Sequence, residues 1–143
     1  MAEIEYLHVC DYAFSMEGGK PCIIGIFDAI HSSSFPAVHP HMAIALRLRG
    51  RAHEVVPIKI ELGRPNGEVL ATVQGDFTAG PDGSTFLQMN MVNVQFPEPG
   101  RYTFNVSSGD RMLTSHVLQL QKVGTPSSQA GQHVAPGTPS KVH

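Results

Sequence analysis

The stretch MAIALRLR at residues 42–49 decides the fold class of this sequence. Its large aliphatic side chains fall on every second residue, and alanines and arginines alternate with them. This period of two is typical of a β-strand with one face on a core. The run VVPIKIEL at residues 55–62 repeats the pattern, with Lys59 and Glu61 on the outward side. Because Pro57 cannot donate a ladder hydrogen bond, we expect this second strand to lie at an edge or to begin its pairing there.

Further strand-like runs continue in both directions, separated by turns rich in Gly, Pro, Asn and Asp. About eight strands at short, regular spacing predict an all-β chain, folded as an antiparallel two-sheet β-sandwich of immunoglobulin-like or jelly-roll-like style. We place this domain at residues 1–122. From residue 123 to residue 143 the sequence is rich in Gly, Pro, Ser and Thr and has no apolar period. This composition predicts a disordered C-terminal tail.

Two runs carry more specific expectations. CIIGIFDAI at residues 22–30 is continuously apolar, which predicts a strand that is buried on both faces or at least central in its sheet. In TFLQMNMVNVQF at residues 85–96 the apolar set changes from odd to even positions. Either both faces of this strand are buried, or a β-bulge near residues 91–92 switches the inward set.

The stretch FPEPGRYTF at residues 96–104 places Gly100 at the end of a turn and Tyr102 two residues later. This arrangement resembles a tyrosine corner, in which the phenol hydrogen-bonds backbone a few residues upstream. The alternative is that Tyr102 is simply a half-buried aromatic of a strand.

A second structural prediction concerns the turn around Gly19, which precedes Lys20 and supplies the positive φ of a tight hairpin. The hairpin places Cys10 opposite residues 25–27, so Cys22 is out of register for a disulfide. We therefore expect both cysteines to be reduced.

The charge and hydropathy of the chain exclude several classes of partner. Ten basic and twelve acidic residues give a net charge of −2, without the basic surplus that nucleic-acid binding requires. No stretch approaches the about 20 apolar residues that span a bilayer, and the N-terminus lacks the features of a signal peptide. We therefore expect a cytoplasmic protein that binds neither nucleic acid nor membrane.

Catalytic patterns are absent from the sequence. It holds no Gly-x-Ser-x-Gly elbow, and its carboxylates are scattered. His8 and Cys10 are neighbours on one face of a strand, but such side chains point apart, so His8 is not placed to act as a base for the thiol. We nominate no catalytic residue and no cofactor.

A histidine-rich segment, FDAIHSSSFPAVHPHM at residues 27–42, carries His31, His39 and His41. In an extended chain His39 and His41 share a side and could bind one metal ion, with a further ligand from His31, Asp28 or His53. No familiar ligand spacing follows, however.

The other interpretation of this segment is a connector between strands. Its serines are polar, Pro36 and Pro40 stiffen the path, and Phe35 is expected to pack into the core. We favour the connector.

Six segments together resemble one family of proteins. They are CDYA (10–13), GK (19–20), IIGIFDAI (23–30), FPAVHP (35–40), ALRLRG (45–50) and FPEPGRYTF (96–104). They are similar to the bacterial family designated domain of unknown function 6941, over about residues 4–121. The resemblance implies a small cytosolic β-sandwich without an assigned activity or assigned site residues. His39 and Pro40 fit the family's pattern, whereas His31 and His41 lie outside it.

The leading functional hypothesis is a non-enzymatic binding or scaffolding module that uses loops or a sheet edge. Residues 31–41 are the expected contact loop, with Asp28, Phe35 and His39 as binding candidates. We expect protein partners, including a homo-oligomer formed through a sheet edge. The alternative hypothesis is a metal-binding protein or metal-dependent enzyme centred on His39 and His41.

Overall fold

A computed structural model describes residues 2–124, which form two packed β-sheets. The predicted tail therefore lies outside the described residues, apart from its first two positions. Nine strands are present where the sequence predicted about eight: β1 (Glu3–Met16), β2 (Lys20–Ile26), β3 (Ala29–Ser32), β4 (Ala37–Arg49), β5 (Val55–Gly63), β6 (Val69–Thr78), β7 (Ser84–Phe96), β8 (Gly100–Ser108) and β9 (Arg111–Lys122). The all-β sandwich is confirmed.

The first sheet has the strand order β2-β1-β4-β7, and the second has the order β3-β9-β8-β5-β6. Every pairing is antiparallel except that of β3 with β9, which is parallel. Parallel neighbours need a long connection, and here the chain from β3 to β9 runs through β4 to β8. Within residues 2–124 there is no helix of the length and apolarity that crossing a bilayer requires.

The main core lies between the two sheets and is filled by the residues that alternate along each strand. The predicted inward positions of β4 and β5 are all buried. Those of β4 belong to the first sheet and those of β5 to the second. In the second sheet, the β5 residues are joined by an aromatic and aliphatic layer: Tyr102, Phe104, Val106, Leu118 and Leu120. Fully burying one such aliphatic or aromatic side chain contributes about 1.5–3 kcal/mol, so this period-two pattern is the main source of stability.

Pro57 marks the start of pairing on one side of β5. The strand lies between β8 and β6, so the edge-strand alternative is wrong. Its ladder with β8 begins only at Lys59, and Pro57 pairs with Asp76 of β6 alone. Pro57, which has no amide hydrogen, therefore lies at a position where β5 is not yet paired with β8.

The run CIIGIFDAI does not form one central strand, and that prediction is wrong. It is divided between β2 and β3, which are edge strands of different sheets. The chain crosses between the sheets at Phe27 and Asp28: the Phe27 amide donates to Val9 O at 2.9 Å, and the Asp28 carbonyl accepts from Gln119 N at 2.9 Å. The apolar run thus contributes an edge strand to each sheet, and it is not buried throughout, since Ile26 is 54% exposed.

The change of inward face in β7 is present, but a β-bulge does not cause it. The register between β4 and β7 stays constant from Ala37↔Phe96 to Met42↔Met91 and beyond, so neither strand gains a residue. Asn93 adopts a positive φ of 51°. On β4, Ala37 and Met42 are both buried although they are five residues apart, so β4 changes its inward side between them. Phe96 is buried opposite Ala37, and Met91 is partly buried opposite Met42, so β7 changes its inward side at the same place.

The tyrosine corner is confirmed by its hydrogen bonds. The Tyr102 hydroxyl donates to Glu98 O at 2.8 Å and accepts from Glu98 N at 3.2 Å. The Tyr102 ring is fully buried and meets Phe96 edge-on, with ring centroids 5.1 Å apart. Burial raises the pKa of the phenol, which therefore stays protonated and able to donate. At Gly100, φ is +137° and a Cβ would lie 2.7 Å from Pro65 Cγ, so a side chain there would clash.

Candidate functional site

The most distinctive surface is built on the β1–β2 hairpin. The strands pair from Cys10↔Ile26 to Met16↔Lys20, which confirms the register predicted for Cys10. At the turn, Gly19 has a φ of +79° and its amide donates to Met16 O at 2.9 Å. The positive φ predicted at Gly19 is therefore present.

The hairpin bends where Asp11 lies beside Gly25. β1 pairs with β4 only as far as Cys10↔Ala43, and beyond Asp11 it pairs with β2 alone. Gly25 has a φ of +73°, and a Cβ on it would lie 2.3 Å from Asp11 Oδ2. Glycine is thus favoured by the backbone conformation, and a side chain at this position would also displace the Asp11 carboxylate. The bend lets the tip of the hairpin leave the first sheet.

One side of the hairpin tip covers the outer face of the first sheet. Ala43 and Ala45 lie on the side of β4 that points away from the main core, and yet both are fully buried. They form a second apolar cluster with Ala13 and Ile23 of the hairpin, together with Cys10 and Phe86. Because alanine is small, the hairpin can approach β4 closely at these two positions.

The other side of the tip is exposed and apolar. Tyr12 lies directly opposite Ile24, and Phe14 lies opposite Cys22. Directly opposite residues of an antiparallel pair project to the same side, and alternate residues share that side. We call this surface the hairpin face and define it by Tyr12 (54% exposed), Phe14 (40%), Met16 (51%), Cys22 and Ile24 (47%).

His41 holds the base of the hairpin face in place. Its Nδ1 lies 2.8 Å from the carbonyl oxygen of Asp11, so Nδ1–H donates there. The imidazole also stacks on Tyr12, with ring centroids 4.7 Å apart and an interplanar angle of 27°. These contacts begin where the β1–β4 ladder ends, and they replace it as the link between hairpin and sheet.

The three histidines of the histidine-rich segment do not converge. His31 is exposed on β3 in the second sheet, and His41 is engaged with the hairpin. The His39 ring lies against Phe27, with centroids 5.4 Å apart. Among residues 2–124 there is no group of three or more His, Cys, Asp or Glu side chains arranged to hold a metal ion.

The predicted contact loop is shorter than expected. His39 and His41 belong to β4, because the chain from Ala37 onward pairs with β7. The connector is left with residues 33–36, where Phe35 packs partly buried against the main core, as predicted. The exposed Asp28 carboxylate lies 3.7 Å from Nε2 of His116, which is too long for a hydrogen bond.

Both cysteines are free thiols. Cys10 is fully buried, and burial, together with the nearby Asp11 charge, raises the pKa of its thiol. A raised pKa leaves less thiolate, so Cys10 is a poor nucleophile. Cys22 is half-buried and lies on the hairpin face.

Sequence reasoning missed the hairpin face, although a signal was present. Tyr12, Phe14 and Met16 alternate in the same way as core residues do. The pattern shows that they share a side, and only the packing shows that this side has no neighbour.

These features define an immunoglobulin-like β-sandwich that presents an apolar hairpin on the outside of one sheet. The chain belongs to the Family of unknown function (DUF6941), whose family model matches residues 5–121. This confirms the family resemblance. No curated protein matches the chain.

Several solved structures are similar to this chain at low sequence identity. The alkylpurine DNA glycosylase AlkC of Pseudomonas fluorescens, bound to DNA containing an abasic site analog, aligns with a TM-score of 0.53 and 13% identity, over 84% of this chain and 30% of that chain. An immunoglobulin-like protein from Pseudomonas aeruginosa aligns with a TM-score of 0.49 and 14% identity, over 85% and 97%. A β-glucosidase from Listeria innocua in complex with isofagomine gives 0.47 and 10%, over 87% and 17%. This chain thus spans less than a third of AlkC, and the likeness concerns the fold alone.

Proposed function

We propose that this protein is a non-enzymatic binding module and that its hairpin face docks an apolar surface of a protein partner. The observation that carries the proposal is the exposure of Tyr12, Phe14, Met16 and Ile24 side by side on a hairpin whose other side is packed. Contiguous exposed apolar side chains are costly in water, and on soluble proteins they mark interaction sites. On the sequence grounds given above, we also propose a cytoplasmic location in bacteria.

The hairpin face has the physical properties of a protein-docking surface. Tyr12 offers a large ring with few rotatable bonds, and residues of this kind dominate the energetics of many interfaces. The stack with His41 restrains the Tyr12 ring before binding. A restrained side chain loses less entropy when a partner orders it, so more of the burial energy appears as affinity.

The charges around the hairpin face further define the partner. Glu17 and Lys20 flank the turn, and Asp11 lies at the bend, so the apolar centre is bordered by few and mixed charges. Such an arrangement suits a core-and-rim interface with a weakly charged, apolar partner surface. It does not suit the dense negative charge of nucleic acid.

The test compares two double variants of the full chain. The variant Y12S/F14S removes the aromatic part of the hairpin face, and V69S/M112S removes two apolar side chains that are equally exposed elsewhere (53% and 58%). Proteins captured from a lysate are quantified for each variant after circular dichroism has shown that both are folded. We expect Y12S/F14S to lose the specifically captured partner and V69S/M112S to retain it.

A photo-crosslinker attached to the Cys22 thiol provides a second measurement. A partner docked on the hairpin face should be crosslinked from Cys22, which lies opposite Phe14. Equal capture by both double variants, with no crosslink from Cys22, would refute the proposal. Stoichiometric zinc, iron or copper in protein purified without a histidine tag would instead favour the metal-binding alternative.

A further inference from the structure

Strand β7 is an edge strand without the usual protection. Its 13 residues, STFLQMNMVNVQF, contain no charged residue, no proline and no glycine. Its register with β4 is uninterrupted along its length. Edge strands normally carry a charge, a proline or a bulge that prevents pairing with another chain.

The other edges within residues 2–124 are protected in these ways. β2 begins with Lys20 and Pro21, and Gly25 bends it. β6 carries Asp76 beside Gly75. β3 has only four residues. The contrast separates β7 from the remaining edges, because β7 alone is long, uncharged and in constant register with its neighbour.

We propose that two copies of this chain associate through β7, in antiparallel pairing about a two-fold axis at Met89, so that the two first sheets become one continuous sheet. This interface goes beyond the proposed function, because it uses the β7 edge rather than the hairpin face. A two-fold axis requires a surface that complements itself.

The β7 sequence complements itself in this register. With Met89 opposite Met89 of the second copy, Leu87 lies opposite Met91, Gln88 opposite Asn90, and Phe86 opposite Val92. Apolar residues then meet apolar residues and amides meet amides, which is the cross-strand matching that stabilises a sheet. Because β7 has no charged residue, the pairing places no like charges opposite each other. The paired segment ends before Asn93, where the positive φ interrupts the regular strand.

A cleft beside β7 gives the second copy a further role. Between the edges of the two sheets lies a cavity of about 160 Å³, lined mainly by apolar side chains, among them Ile58, Val73, Phe77, Leu87 and Met89. Partly buried Leu87 and Met89 pack against the main core from this edge. A second copy placed along β7 would remove the open side of this cleft from water.

The size of the interface indicates a dimer in equilibrium with its monomer. Pairing over residues 86–92 gives a contact about 24 Å long, and the two sheets are about 10 Å apart. The buried area is then about 240 Å² on each copy and about 480 Å² in total, well below the about 1,000 Å² that a stable interface normally exceeds. We therefore expect a weak dimer that dissociates in the high micromolar to millimolar range rather than an obligate dimer.

The first test is sedimentation equilibrium of the full chain from the micromolar into the millimolar range. The variant Q88K/N90K places lysines opposite lysines in the proposed register, and we expect it to weaken the dimer at least about 100-fold. The control S33K/Q121K adds the same charge at exposed positions near the opposite edge of the sandwich and should dimerise as the wild type does. A wild-type chain that stays monomeric, or a dimer that Q88K/N90K leaves intact, overturns the proposal.

The second test fixes the register. In a C22S background, which removes the half-buried thiol, M89C should form a covalent dimer on mild oxidation, because the two-fold axis places position 89 opposite itself. The control T85C lies opposite position 93 in this register and should not crosslink. Crosslinking of T85C but not M89C would show that the register is wrong.

Discussion

The hydroxyl of Tyr102 offers a sharp test of the tyrosine corner. The substitution Tyr102→Phe keeps the buried ring and its edge-on contact with Phe96, and removes one oxygen that serves two hydrogen bonds with Glu98. A typical hydrogen bond contributes about 1 kcal/mol, and a buried partner left unsatisfied costs about 1–3 kcal/mol. Because Glu98 is only partly buried, water can reach its backbone in part, and we expect a loss of about 1–2 kcal/mol.

Urea unfolding followed by circular dichroism measures this loss, since the chain has no tryptophan. For a domain of this size the change corresponds to a melting temperature lower by about 4–10 °C. Tyr12→Phe is the matched control, because the Tyr12 ring is largely exposed and its hydroxyl lies outside any corner. Equal stability of the two variants, within about 0.5 kcal/mol, would mean that the corner does not stabilise this fold.

Two further predictions concern the bend of the hairpin and the partly buried His116. Gly25→Ala should destabilise the protein by about 1–3 kcal/mol, measured by urea unfolding, because alanine at a positive φ is strained and its Cβ meets Asp11. The control Gly75→Ala, whose Cβ would meet only ordinary van der Waals contacts, should be close to neutral in the same measurement. Burial lowers the pKa of His116, although the Asp28 charge opposes this. Between the folded and unfolded pKa values the unfolded chain binds more protons, so the contribution of His116 is complete above about pH 6.5 and declines as the pH falls. His116→Gln should therefore flatten the stability profile between about pH 5 and pH 7, and an unchanged slope would refute this.

Local sequence rules predicted much of the fold because the interactions behind them are local. Alternation placed the inward residues of β4 and β5, and the glycine at residue 19 identified a hairpin turn. The same hairpin placed Cys10 opposite Ile26 and kept Cys22 away from it. Each of these results depends on residues close in sequence, or on a strand period that holds in any sheet.

The failures have a common physical cause. The run CIIGIFDAI is apolar whether its strand is central or at an edge, and only the crossing at Phe27 and Asp28 decides which. The face change in β7 needed a partner strand that reverses with it, which no single-strand pattern reveals.

The sequence by itself determined that this protein is a β-sandwich, because side-chain alternation and turn chemistry act over a few residues. Only the tertiary structure decided that His41 supports Tyr12 instead of joining His31 and His39, and that one side of the hairpin is covered while the other meets water. Exposure and convergence depend on segments far apart in the chain, since a side chain is buried or exposed according to what packs against it.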